Sequence, residues 1–111
     1  MDKPIFIKAG KSEKEIKASK RKFQLRIKTD HMEVVVTEIE PVKGFGKTYS
    51  HPGEEIHMII KGKVEFVVDD MSYIMEQGDW LWHPSRLPHH ARNLGKSTAK
   101  YITIGVPPTF M

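Results

Sequence analysis

Alternation of apolar and polar residues with a period of two runs through most of this chain and limits its fold more than any other feature. The clearest example, MEVVVTEIE at 32–40, is rich in β-branched residues and stops at Pro41, as strands do. EIHMII at 55–60 turns at Lys61-Gly62 into KVEFVVD at 63–69. Short strands with turn signals roughly every eight to twelve residues predict an all-β sandwich or barrel.

Further segments extend this pattern. Strands are predicted over 22–29, 71–76, 80–83, 89–93 and 98–106. Before them, SEKEIKASK at 12–20 predicts one short helix, because Ser12 and Glu15 match a capping box. We therefore predict a basic N-terminal extension over residues 1–21 and a single barrel domain over 22–111, with VPPTF at 106–110 as an extended tail laid across the barrel.

The composition excludes several classes of protein. The chain of 111 residues has the length of one domain, and it contains no run of about 18 apolar residues that could cross a membrane. It has no cysteine, so disulfides, thiolate nucleophiles and zinc-finger ligands are excluded. The start MDKPIFIKAGKSEKE lacks the apolar stretch of a secretory signal. Together with the absence of cysteine, this predicts a cytoplasmic protein.

The net charge of +4 and the pI near 9.3 raise the question of nucleic-acid binding. Much of the basic charge lies between residues 8 and 28, where Glu13 and Glu15 are interleaved with it. No recognition helix or RNA-binding aromatic motif accompanies the charge. We interpret it as a solvated basic face, with a role towards an anionic ligand as the alternative, and expect no direct contact with nucleic acid.

Titratable residues gather in two stretches, YSHPGEEIHMIIKG at 49–62 and GDWLWHPSRLPHHARN at 78–93. If Glu55 points into the barrel, His57 does too, because alternate residues of a strand share a face. His89 and Asn93 share parity on a later strand. Neutral imidazoles and a carboxylate are good ligands for Fe, Mn, Ni, Zn or Cu, and these residue types leave the choice of metal open.

The first stretch resembles the first signature motif of the cupin superfamily, which are small jelly-roll barrels with a metal or ligand site inside. His51 is followed by three residues, then Glu55, then six residues and Gly62. Tyr49 stands where the family has its first histidine.

The second stretch resembles the second motif of that superfamily. Gly78, Pro84, His89 and Asn93 stand at the family's spacings, with Arg86 in a glycine position. The resemblance implies a double-stranded β-helix, the jelly-roll cupin barrel.

Carried over residue by residue, the resemblance makes His51, Glu55 and His89 the ligands of a divalent transition metal (Fe, Mn, Ni or Zn). Two histidines and one carboxylate leave coordination positions open, an arrangement that suits non-heme Fe(II) and O2 chemistry. The trio also resembles the iron site of cupins of the hydroxypropylphosphonate epoxidase type.

Other polar residues have open roles. Tyr49 and His57 are the candidates for catalytic residues. Tyr49 is a fourth ligand, a hydrogen-bond donor to the site or part of the pocket wall. His57 replaces the missing histidine or orients a ligand by hydrogen bonding. His90 is expected outside the site because its parity is opposite to that of His89, and the place of His83 stays open.

Large apolar residues suggest packing surfaces. Trp80 and Trp82 share one strand face and are expected in core or subunit packing rather than as a substrate platform. With the outward row Ile56, Met58 and Ile60 they predict a homodimer, as small cupins commonly form. The candidates for the pocket wall are Phe66, Met75 and Tyr101.

Three functions follow from these features. Residues from about Arg26 to Phe110 resemble the effector domains of Xre-type regulators, which implies a small-molecule sensor, here without a DNA-binding headpiece. The alternative is a dioxygenase or isomerase, with His57 as general base in the second case. The third is a barrel with no working site. Acyl transfer is not expected, because Ser50 and Ser85 lie outside any nucleophile-elbow pattern.

Overall fold

The computed structural model describes residues 3–41, 44 and 46–110. Within these residues the chain forms nine strands in two sheets. The larger sheet has the order β1-β2-β3-β9-β4-β7 and the smaller has the order β6-β5-β8. The strands are β1 Lys14–Ala18, β2 Arg21–Lys28, β3 Glu33–Ile39, β4 Glu54–Lys61, β5 Lys63–Val68, β6 Met71–Glu76, β7 Trp80–Pro84, β8 His89–Asn93 and β9 Ala99–Val106.

All the strands read from the alternating pattern are present, and the described residues contain no helix. Every pairing is antiparallel. The β4–β5 turn is tight because Gly62 adopts φ +87°, and a Cβ there would lie 3.0 Å from Ala99. The all-β jelly-roll prediction is confirmed. No helix in the described part of the chain is long and apolar enough to cross a membrane.

The predicted helix over 12–20 is wrong, because residues 14–18 form β1. This edge strand pairs with β2, and Ile16 lies opposite Phe23. Lys22 of β2 lies 3.9 Å from the Glu15 carboxylate and 3.2 Å from that of Glu38. Pairing along a sheet edge therefore overrides the local capping signal. The division into an extension up to residue 21 and a barrel from residue 22 stays a prediction.

The core lies between the two sheets. Strand β4 alternates as expected: Glu55, His57 and Ile59 are buried, whereas Ile56 is exposed. The hydrophobic cluster that forms this core includes Met75, Phe66 and Tyr101. Each Å² of apolar surface buried stabilises the fold by about 25 cal/mol, so burial of these side chains is the main driving force for closing the barrel.

The outer face of the larger sheet carries two apolar cross-strand rows. One runs from Trp82 through Ile56 to Ile104, and the other from Trp80 through Met58 to Ile102. The indoles of Trp80 and Trp82 are 65% and 55% exposed. Of the two roles expected for these tryptophans, core packing is therefore wrong, and subunit packing stays a prediction.

The tail after β9 is held by Glu33 at the start of β3. The buried Glu33 carboxylate accepts hydrogen bonds from the backbone N–H of Thr109 at 2.8 Å and of Phe110 at 2.7 Å. Because two donors meet one charged acceptor, the tail is fixed along the barrel. This agrees with the predicted extended tail.

Candidate metal centre and cavity

Three strands and one loop bring five titratable side chains together inside the barrel. Strand β4 supplies Glu55 and His57, β7 supplies His83, β8 supplies His89, and the loop before β4 supplies His51. The strand register explains why these side chains lie together, since Glu55 of β4 lies directly opposite His83 of β7. On the other side, a bridge between Tyr49 and His89 joins the β4 loop to β8.

The Glu55 carboxylate is the centre of this group. Its Oε2 lies 3.2 Å from His51 Nε2, and its Oε1 lies 3.1 Å from His57 Nε2. The Nε2 atoms of His89 and His83 lie 3.5 and 3.6 Å from Oε1. Four imidazoles therefore present the same ring nitrogen to one carboxylate.

Backbone carbonyls assign the tautomers of two of these rings. The Nδ1 atoms of His83 and His89 lie 2.9 and 2.8 Å from the carbonyl oxygens of Pro84 and Leu87. A carbonyl oxygen only accepts, so each of these neutral rings carries its proton on Nδ1 and presents a lone pair at Nε2. The His89 lone pair consequently faces Glu55. His51 Nδ1 has a longer contact, 3.3 Å, with the carbonyl oxygen of Pro52.

His57 has the opposite assignment. Its Nε2 lies between Glu55 Oε1 and His83 Nε2, which is 2.9 Å away. Both of these atoms are acceptors, so His57 Nε2 carries the proton and donates to them. Its Nδ1 then accepts the hydroxyl hydrogen of Thr103, at 2.7 Å. Ser85 donates a second hydrogen bond to Glu55, at 2.7 Å.

The charges in this group follow from burial and hydrogen bonding. Burial raises the pKa of Glu55, but the hydrogen bonds from His57 and Ser85 and the neighbouring imidazoles outweigh it and hold that pKa at about 2. Burial lowers the pKa of His57, His83 and His89 below the usual value. At neutral pH Glu55 is thus ionised, and the rings of His57, His83 and His89 are neutral.

Two sets of three residues have the geometry to hold a metal ion, with their ligand atoms within 4.8 Å of one another: His51–Glu55–His89 and Glu55–His57–His83. In the second set the proton of His57 already satisfies the acceptors. In the first set the lone pair of His89 faces the carboxylate with no hydrogen between them, and His51 Nε2 lies beside the other carboxylate oxygen. Metals bind neutral imidazole and ionised carboxylate, so the donor chemistry of the first set fits a cation.

The other predicted residues lie at varied distances from this group. Tyr49 is 42% exposed, and its ring centroid lies 6.3 Å from that of His89. His90 is half-buried, and its ring is hydrogen-bonded to Thr48 at 3.2 Å. His31 is exposed and lies near another surface depression.

Sequence reasoning missed His83 and its neighbours. His83 is only 3% exposed and accepts a hydrogen bond from His57. Thr103 hydrogen-bonds His57, and Ser85 hydrogen-bonds Glu55. Strand parity could have found it: Trp80 and Trp82 share one face of β7, so His83 lies on the opposite face and points inward if the tryptophans point outward. No motif position marked it.

His51, Glu55 and His89, the metal triad, line a cavity of about 460 Å³ between the sheets. This volume is typical of small-molecule sites. Phe66 and Tyr101 form part of its wall, as predicted, whereas Met75 is buried in the core. Burial outweighs the hydrogen bond with Thr37 and raises the pKa of Tyr101 to about 12, so its hydroxyl stays neutral.

Comparison with known proteins places the chain in a family. A protein from Archaeoglobus fulgidus is 35% identical over 63 residues, which are 57% of this chain and 59% of that protein. A second, MJ1618 from Methanocaldococcus jannaschii, is 28% identical over 58 residues, which are 52% of this chain and 46% of that protein. The matched region spans about half the length of these relatives.

Solved structures show the same fold at low identity. KdgF from Halomonas sp. aligns with a TM-score of 0.84 at 15% identity, over 96% of each chain. The Cupin_2 domain of an XRE family transcriptional regulator from Enterobacter cloacae has a TM-score of 0.73 at 14% identity, over 81% of this chain and 99% of that one. Fe(II)-HppE has a TM-score of 0.78 at 14% identity, over 91% of this chain and 60% of that one.

The sequence profile of the family described as "Cupin domain" matches residues 35–105. This match covers more than half of the chain, from within β3 to within β9, and includes the whole candidate metal centre. The chain belongs to the cupin family.

Proposed function

We propose that this protein binds a divalent transition metal through His51, Glu55 and His89 and holds a small-molecule ligand in the cavity beside it. The protein acts as a sensor-like ligand-binding module. The likeness to the cupin domain of a transcriptional regulator supports this proposal through the fold alone.

One observation carries the metal assignment. The Nε2 lone pair of His89 lies 3.5 Å from one ionised oxygen of Glu55, and His51 Nε2 lies 3.2 Å from the other. Acceptors that face one another in a buried site repel unless a cation lies between them. A metal ion bound by all three residues removes that repulsion. Imidazole and carboxylate ligands suit Fe, Mn, Ni or Zn.

The surrounding residues orient the ligands. The hydrogen bonds from His57 and Ser85 fix the Glu55 carboxylate, and carbonyl contacts fix the rings of His51 and His89. Such outer contacts commonly affect metal affinity by about 10–100-fold. A metal bound at this wall of the cavity supplies a positive centre for an oxygen atom of the ligand.

Cobalt binding tests the proposal. Co²⁺ titrated into the metal-free protein is expected to give saturable visible absorption at one ion per chain, and the bands should be lost in His89→Ala. His31→Ala is the matched control, because it removes an exposed histidine outside the barrel and should bind cobalt like the wild type. Identical spectra for wild type and His89→Ala would contradict the assignment.

The second candidate function is a mononuclear non-heme metal enzyme, a dioxygenase or isomerase. The observation that favours it is the two-His, one-carboxylate set in the cavity wall, an arrangement that suits O2 chemistry. Tyr49 and His57 line the same cavity and are the proton-handling candidates. Ligand-dependent O2 consumption by the Fe(II)-loaded protein supports this function, whereas saturable ligand binding without turnover supports the sensor.

We further propose that the protein is a homodimer. The apolar rows on the outer face of the larger sheet expose both tryptophans, and a second copy of the same face is self-complementary in a two-fold dimer. Contiguous exposed apolar surface of this kind marks interaction sites.

A further inference from the structure

We propose that the ligand of the cavity carries an anionic oxygen group, a carboxylate or a phosphate, which Arg21 binds while another oxygen of the ligand faces the metal triad. This inference rests on the proposed function and adds the chemical class of the ligand. It depends on the position of Arg21, on the N–H donors that none of the described residues binds, and on the charge balance of the cavity.

Arg21 crosses the barrel from the larger sheet to the smaller one. It is the first residue of β2, and its Nη2 donates to the carbonyl oxygen of Ala91 in β8 at 3.0 Å. Ala91 follows the metal-ligand candidate His89 by two residues on the same strand. Since a strand rises about 3.3 Å per residue, the anchor of Arg21 lies roughly 7 Å from that of the metal ligand. A ligand of a few carbon atoms spans such a gap.

Most N–H donors of the Arg21 guanidinium have no acceptor among the described residues. It carries five N–H groups, and the described residues show one hydrogen bond from it, to Ala91. Within residues 3–41, 44 and 46–110, no carboxylate forms an ion pair with it. Gly46 lets the chain pass close by, since a Cβ there would lie 2.6 Å from Arg21 Nε. The planar fork of N–H groups therefore matches an anionic group with two oxygens.

The charges on the cavity wall leave room for an anion. Both acidic side chains described in the lining are occupied: Glu33 accepts the N–H groups of the tail, and Glu55 lies among the histidines. Arg21 and Lys47 line the same cavity, and a divalent metal adds to their positive charge. An anionic ligand balances this excess.

The rest of the wall favours a carbon skeleton. Apolar side chains from both sheets line the cavity: Ile16, Phe23, Val35, Phe66 and Ala91. The arrangement is therefore polar at two places, the metal triad and Arg21, with apolar surface between them. Such a site selects a small organic acid over a neutral molecule of the same shape.

Three probes of one chain length test the inference. Glutarate carries a carboxylate at both ends, pentanoate lacks the second one, and 4-phosphonobutanoate replaces it by a phosphonate. Their affinities for the Co²⁺-loaded protein are measured by calorimetry. We expect glutarate or 4-phosphonobutanoate to bind at least about tenfold more tightly than pentanoate, because the second anion forms charge-assisted hydrogen bonds with Arg21. The tighter of the two identifies the anionic group as carboxylate or phosphate.

Variants assign the preference to Arg21. Arg21→Gln should abolish it while leaving pentanoate affinity within about twofold, and Arg21→Lys should keep part of it. Arg86→Gln, which removes the same charge from an exposed position, should keep all of it. Equal binding of all three probes by the wild type, no binding of any probe, or a preference that survives in Arg21→Gln would overturn the inference. Failure to bind cobalt would overturn the proposed function as well.

Discussion

Glu55→Gln removes the negative charge at the candidate metal centre and keeps the shape of the side chain. In the metal-free protein the carboxylate accepts hydrogen bonds from Ser85 and His57 but faces the lone pair of His89. Weakening two charge-assisted bonds costs about 1 kcal/mol each. Relief of the repulsive contact with His89 offsets part of this cost, so we expect the unfolding free energy of the metal-free variant to stay within about 1 kcal/mol of wild type.

Added metal is expected to make wild type more stable than Glu55→Gln. An ion that binds only the folded state adds about 2.7 kcal/mol at a free concentration one hundred times its Kd. For a chain of this size that corresponds to a rise in Tm of roughly 10–20 °C. Glu55→Gln lacks the charged ligand and is expected to gain little of this rise at the same metal concentration.

The assay is thermal unfolding with and without chelator, in Mn²⁺, Ni²⁺ and Zn²⁺ in turn. Glu54→Gln is the matched control, because it makes the same chemical change one residue earlier, on the exposed side of β4. Its metal-dependent rise should equal that of wild type. A wild-type Tm that ignores every metal, or an equal rise in Glu55→Gln, would refute the reasoning.

Other predictions concern the scaffold. Gly53→Ala should lower the unfolding free energy by roughly 2–3 kcal/mol in urea, because φ is +103° and a Cβ would lie 2.0 Å from a carbonyl oxygen of β9; Gly78→Ala, with φ +90° and open space, should lose less. Glu33→Ala should cost about 2 kcal/mol, since two backbone N–H groups lose their acceptor, and should speed proteolysis of the tail; unchanged cleavage would contradict this role. The double change of Trp80 and Trp82 to Ser should convert the proposed dimer to a monomer in light scattering, and a wild-type protein of one chain in mass would refute the dimer.

Much of the barrel could be predicted because alternation reports which face of a strand is buried. In β4, parity predicted that Glu55, His57 and Ile59 share one face, and the structure shows that this face is the buried one. The spacing of the two motifs brought His51 and His89 to the same carboxylate, although the two residues are far apart in sequence.

The remaining features depend on long-range pairing. Nothing local in SEKEIKASK shows that β2 offers an unpaired edge, so Ser12 and Glu15 predicted a helix where β1 forms. His83 has no motif position, and its role depends on lying opposite Glu55 across β4 and β7. The tryptophans share a face in the sequence, but only the sheet order shows that this face points away from the core.

The metal content of protein purified without tag or chelator, measured by elemental mass spectrometry, tests the central claim most directly. Wild type and His31→Ala should contain one iron, manganese, nickel or zinc ion per chain, and His51→Ala should contain almost none. Absence of metal from wild type, even after anaerobic reconstitution with Fe(II), would contradict the proposed centre.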